Sequence, residues 1–126
     1  GKMVVNRKGK PAHSEYQVLK RWPGFAYLEV EIFTGRTHQI RVHLQSIGTP
    51  IVADDLYGNG QALKLSQFKK KFKLSEQVLE EPALMGRLAL HAFRLVIKDT
   101  ADKALEIVAP EPKDFRATIQ QLDKWA

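Results

Sequence analysis

The polar and hydrophobic positions near the beginning of the chain alternate with a period of two. Between residues 25 and 34, aliphatic side chains alternate with Glu29 and Glu31, a pattern typical of a strand with one buried and one solvated face. The alternating aliphatic positions are Leu28, Val30 and Ile32. Residues 15–22 form a similar segment, and Pro23-Gly24 between the two is suited to a turn. The pattern predicts an antiparallel pair of strands.

After Gly35 the hydrophobic period changes to that of a helix. Ile40, Leu44 and Ile47 recur at intervals of four and three residues. Thr37 is placed to cap the first turn, and Gly48 is placed to end the last one. The sequence therefore predicts a helix over residues 37–47.

The C-terminal half repeats the order of two strands and a helix. Residues 88–98 and 104–109 predict a second antiparallel pair, joined by the polar turn 99–103. An amphipathic helix is expected after Pro112, with its apolar face formed by Phe115, Ile119 and Leu122. The expected fold class is α+β, a mainly antiparallel sheet with packed helices in a single domain of residues 1–126.

Composition limits the classes of function. The chain has 126 residues, a mass of 14.3 kDa and no cysteine, so disulfides and thiolate metal sites are excluded. No apolar run approaches the roughly 18 residues of a membrane-spanning helix, and a soluble, cytoplasmic protein is expected. The net charge is +6, and residues 1–50 hold eight Lys or Arg against three Glu. This asymmetry would suit a polyanionic partner such as RNA.

Residues 34–58 carry the densest run of polar side chains at fixed spacing. They read TGRTHQIRVH and then, from Gly48, GTPIVADDLYG. The run resembles the signature of the RluA-type pseudouridine synthases. The resemblance implies a catalytic domain of the pseudouridine synthase fold that isomerises uridine in ribosomal or transfer RNA, with structured RNA as partner and without a cofactor.

Arg41 is the strongest candidate for a catalytic role. The apolar stripe of the predicted helix places it at the edge of the buried face, where an unpaired charge would be costly. An ion pair to Glu29, Glu31 or another nearby acid would satisfy it. The resemblance implies instead that Arg41 contacts and orients the catalytic aspartate, and that Ile40 packs beside it against the substrate.

His38 and His43 do not have the spacing of a metal site. Five residues on a helix separate them by roughly 140°, so they do not share a ligand-bearing face. We expect His43 to be a hydrogen-bonded histidine of the core. His38 and Arg36, near the start of the helix, are expected to orient the turn or to contact phosphate of the substrate.

Asp54 and Asp55 are adjacent carboxylates, and their side chains should point in opposite directions. We expect them to fix a turn rather than to share a site, with Tyr57 in a structural role. The family pattern begins there with Gly-Asp, whereas this chain has Ala53-Asp54, which affects only the expected geometry of the turn.

Two later segments have two interpretations each. Residues 87–92, RLALHA, resemble a second family block, which implies that Leu88 lines the uracil pocket; strand alternation alone would equally make Leu88 an inward residue. A lysine-rich segment, residues 64–73, carries Phe68 and Phe72. It is interpreted either as an arm that binds RNA or as a small helix with an apolar underside.

The catalytic Arg-Leu-Asp segment and the tyrosine motif of the family are missing from these 126 residues. None of the six aspartates follows Arg-Leu. We therefore expect the chain to be the C-terminal portion of a larger catalytic domain and to be inactive alone. The competing interpretations are a non-catalytic RNA-binding module of the same fold and a plain interaction domain.

Overall fold

The computed structural model describes residues 2–7, 10–74 and 80–126. This part of the chain contains five strands and two α-helices. Their bounds are β1 Lys2–Arg7, β2 Lys10–Trp22, β3 Phe25–Ile32, α1 Gln39–Ser46, β4 Arg94–Lys98, β5 Ala104–Val108 and α2 Lys113–Trp125. Two separate antiparallel sheets and two helices agree with the α+β class expected from the sequence.

The first sheet has the order β1-β2-β3 and contains the predicted hairpin. Trp22 pairs with Phe25 across Pro23-Gly24, where Gly24 has the positive φ of 78° that glycine tolerates. Strand β1 was not predicted, and β2 begins five residues before the predicted start at residue 15. The pairing of β3 ends at Ile32 instead of at residue 34.

Helix α1 follows the predicted hydrophobic period but begins later than expected. The helix starts at Gln39, and its N-cap is His38 in a left-handed conformation (φ 53°), so the prediction of a Thr37 cap is wrong. The end is as predicted: Gly48 has a φ of 80°, and its amide donates to the carbonyl of Gln45. Glycine at this position closes the helix without steric strain.

The second sheet is the hairpin β4-β5, which confirms part of the second predicted pair. Arg94 pairs with Val108 and Lys98 with Ala104. The prediction that the strand starts at residue 88 is wrong. The amide of Ala89 donates to the carbonyl of Val52 in a loop, so this stretch is anchored by single contacts and not by a strand ladder.

The amphipathic C-terminal helix is confirmed as α2, with Pro112 as its N-cap. Leu122 is buried, and Asp123 joins the helix to the first sheet by a 2.7 Å ion pair with Lys20. The small helix expected in residues 64–73 is limited to a 3₁₀ turn, Leu65–Gln67. Phe68 meets Phe25 edge to face, with ring centroids 6.1 Å apart.

The hydrophobic core of the described residues is small. Its buried apolar side chains are Ala12, Leu44, Leu63, Met85 and Leu122. An open apolar cavity of about 580 Å³ lies among β3, α1 and α2, and its lining includes Leu28, Ile40, Leu90 and Ile119. No helix in the described ranges is long and apolar enough to cross a membrane.

The end of α1 provides a test of this fold. Gly48→Ala should lower the free energy of unfolding by about 1–2 kcal/mol, because alanine is strained in the left-handed conformation. Gly35→Ala is the matched control, since Gly35 has no left-handed φ and open space around it. Denaturant unfolding measures both variants, and equal effects would contradict the assigned helix end.

Candidate active site

Arg41 on α1 forms a two-point ion pair with Asp54. Its Nε donates to Oδ2 at 2.9 Å, and its Nη2 donates to Oδ1 at 2.7 Å. Asp54 is fully buried, and 14% of the Arg41 side chain is exposed. The inference that Arg41 must be paired is confirmed, and the acid that pairs with it in the described structure is Asp54.

Asp54 also organises the loop in which it lies. Its Oδ1 accepts the amides of Leu56 and Tyr57, each at 3.0 Å, and its carbonyl accepts the amides of Gly58 and Gly60. The hydrogen bonds from Arg41 hold the pKa of Asp54 well below its usual range, although burial opposes this shift. The expectation that Asp54 fixes a turn is confirmed.

Asp55 has a different environment from its neighbour. Its side chain is 83% exposed, and its Oδ1 is 3.5 Å from Nη2 of Arg41. The two carboxylates differ in burial, but both contact Nη2 of Arg41, and they lie in a turn and not in an extended segment. The expectation that their side chains point in opposite directions is therefore wrong. Ala53, just before them, has a φ of 61°, a conformation that glycine adopts more readily. This explains physically why a Gly-Asp pair would suit the turn.

Tyr57 closes the other side of the arginine. The Arg41 guanidinium carbon is 5.2 Å from the centroid of the Tyr57 ring, within the range of a cation–π contact. The Tyr57 hydroxyl is 3.0 Å from Nδ1 of His38. His38 thus contacts the loop that holds Asp54, which agrees with a role in orienting the turn. Arg36 is exposed, and its amide donates to Oε1 of Gln39.

Gln39 is a buried polar residue that the sequence interpretation missed. Its Nε2 donates to the carbonyl of His13 and to Oγ of Ser14, both at 2.8 Å. Its Oε1 accepts from Oγ1 of Thr34 at 2.7 Å. Gln39 therefore links the start of α1 to β2. The only sequence signal was a glutamine beside the apolar stripe of the helix.

The two residues expected to line a uracil pocket lie in different surroundings. Ile40 lines the apolar cavity together with Ala89 and Leu90. Leu88 is half-buried and does not belong to that lining. Its carbonyl accepts the amide of Leu90 at 2.8 Å, which turns the chain locally.

His43 is buried in the core, as expected, but its expected hydrogen bonds are absent. The residue is 1% exposed, and neither ring nitrogen has a hydrogen-bond partner within the part of the chain that the structure describes. Burial lowers the pKa of His43, and the nearby His13 lowers it further. Residues 2–7, 10–74 and 80–126 contain no cluster of three or more His, Cys, Asp or Glu that could hold a metal ion.

The sequence of the chain is similar to those of known RNA pseudouridine synthases. Residues 2–46 match the family described as RNA pseudouridylate synthase. The chain is 38% identical over 123 residues to ribosomal large subunit pseudouridine synthase D of Buchnera aphidicola subsp. Baizongia pistaciae, covering 97% of this chain and 37% of that protein. Over nearly its whole length the chain is therefore similar to RNA pseudouridine synthases.

Other relatives show the same partial coverage. An uncharacterized RNA pseudouridine synthase of Chlorobaculum parvum is 38% identical over 91% of this chain and 34% of its own length. Ribosomal large subunit pseudouridine synthase D of Haemophilus ducreyi is 35% identical over 95% of this chain and 35% of its own length. The chain thus spans about a third of these pseudouridine synthases, and the resemblance noted in the sequence is confirmed.

The Arg41–Asp54 pair should be a major source of stability in this chain. Asp54→Asn should lower the free energy of unfolding by about 2 kcal/mol or more, because it leaves a partly buried arginine without its counter-charge. Asp55→Asn is the control and should have little effect, because that side chain is exposed. Similar losses in both variants would contradict the assigned role of Asp54.

Burial of His43 should make stability depend on pH. Its folded-state pKa is lowered, so the unfolded chain binds the proton more readily, and stability should fall as the pH drops below about 6.5. His43→Leu should flatten this part of the profile. Thermal unfolding between pH 5 and pH 8 measures the effect, and an unchanged slope in the variant would assign the dependence to other groups.

Proposed function

We propose that this chain provides the arginine-bearing part of the active site of an RNA pseudouridine synthase, which converts uridine to pseudouridine in structured RNA such as ribosomal RNA. The observation that carries the proposal is the Arg41–Asp54 pair within the signature segment. Arg41 directly follows Ile40, which lines an apolar cavity suited in character to a flat base. Two of the relatives are named ribosomal large subunit pseudouridine synthase D, which favours ribosomal RNA as the substrate.

Asp54 leaves part of the arginine available for a second acid. It occupies Nε and Nη2, while Nη1 has no hydrogen-bond partner among the residues that the structure describes. Asp54 thus holds one edge of the planar guanidinium, and Tyr57 covers one of its faces. These contacts fix the position of the guanidinium before a further acid binds to it. We assign to Arg41 the role of orienting a catalytic aspartate through this remaining nitrogen.

The aspartates of the chain are poorly suited to be that acid. Asp54 is buried in its pair, Asp114 is bonded to Arg87, and Asp123 is bonded to Lys20 and Trp22. Asp99 accepts two amides within the hairpin turn, and Asp102, in the same turn, is 3.8 Å from Lys98. We therefore infer that the catalytic aspartate is contributed by residues outside these 126. Asp55, exposed near Arg41, is the internal alternative that the experiment must exclude.

The proposed reaction needs no cofactor. The target nucleotide leaves its stack, at a cost of a few kcal/mol that contacts in the pocket offset. The aspartate attacks the nucleoside, the bond between C1′ and N1 breaks, and the uracil rotates. A bond between C1′ and C5 then forms as the bond to the aspartate breaks, the C5 proton is lost and N1 is protonated. Ile40 and Leu88 are proposed to contact the uracil, and Arg36 and His38 to contact the RNA backbone near the start of α1.

The proposal is tested by comparing the purified 126-residue chain with the complete polypeptide encoded by its gene. Ribosomal RNA is incubated with each, and pseudouridine is measured by mass spectrometry of the digested RNA. The complete polypeptide should form pseudouridine and the 126-residue chain should not. Arg41→Lys in the complete polypeptide should lower kcat by about a hundredfold, because lysine lacks the fixed planar fork.

Arg116→Lys is the matched control, since Arg116 is exposed on α2, and its activity should be unchanged. If the 126-residue chain itself forms pseudouridine and Asp55→Ala abolishes that activity, Asp55 is the nucleophile and the proposal is contradicted. Salt-sensitive RNA binding by the complete polypeptide without turnover would favour a non-catalytic RNA-binding module instead.

A further inference from the structure

The β4-β5 hairpin has one face that is entirely aliphatic. Leu95 pairs across the strands with Ile107, and Ile97 pairs with Leu105. Because residues two apart on a strand share a face, these four side chains lie together. They are 56%, 47%, 47% and 59% exposed, in that order. Phe93, which precedes β4, is 48% exposed. We call these five side chains the hairpin apolar face.

The opposite face of the same hairpin is mixed in character. It carries Val96 opposite Glu106, Val108 opposite Arg94 and Ala104 opposite Lys98. An antiparallel pair with charged groups on one side and only apolar side chains on the other buries the apolar side most favourably against a further layer. A two-stranded hairpin is marginally stable without such a layer. We therefore expect the hairpin apolar face to pack against another layer of protein, which the described residues do not provide.

The total surface of the chain supports the same conclusion. The accessible surface is 9348 Å², whereas a compact monomer of 14.3 kDa should expose about 6,800 Å². The excess of about 2,500 Å² is larger than the roughly 800 Å² that one partner contributes to a standard protein interface. It is of the size found where one hydrophobic core is divided between two pieces of protein.

We propose that the hairpin apolar face is covered by another segment of the same polypeptide, which completes the core that this hairpin begins. The proposal rests on the proposed function, because the chain spans about a third of the length of the related synthases. An aliphatic surface without a positive group on it does not suit RNA phosphates. The excess surface of the whole chain is larger than one transient partner would cover, so a permanent intramolecular contact fits the observations best.

The absence of cysteine from these 126 residues allows a direct test by thiol labelling. Leu95→Cys places a thiol on the hairpin apolar face, and Val96→Cys places one on the opposite face at a similar exposure, 56% against 51%. In the 126-residue chain the two thiols should react with a maleimide at similar rates. In the complete polypeptide, L95C should react at least about tenfold more slowly than V96C, because thiol reactivity follows access. Peptide mapping by mass spectrometry assigns each labelled site.

Three outcomes would overturn the proposal. The first is equal labelling of L95C and V96C in the complete polypeptide. The second is protection of L95C in the 126-residue chain together with a dimer in light scattering, which would make a second copy the cover. The third is a gene that encodes no residues beyond these 126. Labelling does not depend on turnover, so a complete polypeptide that protects L95C but forms no pseudouridine would contradict the proposed function and leave this proposal standing.

Discussion

The salt bridge between Arg41 and Asp54 is the interaction on which the arrangement of the site depends. A carboxylate with no solvent exposure is tolerated only when its charge is compensated, and here the arginine and two backbone amides provide that compensation. The pair joins α1 to a loop 13 residues further along the chain. It therefore fixes the loop, the Tyr57 ring and the guanidinium relative to one another. A catalytic use of Arg41 depends on this rigidity.

A second polar connection lies where α1 meets the first sheet. Gln39 bonds to the backbone and side chain of β2, whereas His43, one turn further along the helix, is buried without a partner among the described residues. The hydrogen bonds of Gln39 fix the start of the helix. The burial of His43 makes the packing of the helix sensitive to protonation of that side chain. The signature helix thus combines well-satisfied and unsatisfied polar groups within two turns.

The distribution of hydrophobic side chains explains why the site is open. Few apolar residues are fully buried, the cavity beside Ile40 is wide, and the hairpin apolar face is exposed. These features have one physical origin, since a core closes only when every apolar face meets another layer. The proposed nucleophile and the proposed cover both lie outside these residues, so completing the core and completing the active site would be a single structural event.

The sequence alone determined the features that depend on neighbouring residues. Alternation predicted β3, the 3.6-residue period predicted α1 and α2, and Gly48 predicted the end of a helix. The signature showed the resemblance to the pseudouridine synthases. Contacts between distant residues were decided only by the tertiary structure. In the tertiary structure Arg41 pairs with Asp54, and a strand that was not predicted, β1, joins the first sheet. Residues 88–93 lie outside any strand, and the His43 ring has no hydrogen-bond partner among the described residues. Local conformational preferences act along a few residues, whereas a buried charge or an unpaired edge is satisfied by whichever group the folded chain brings near it.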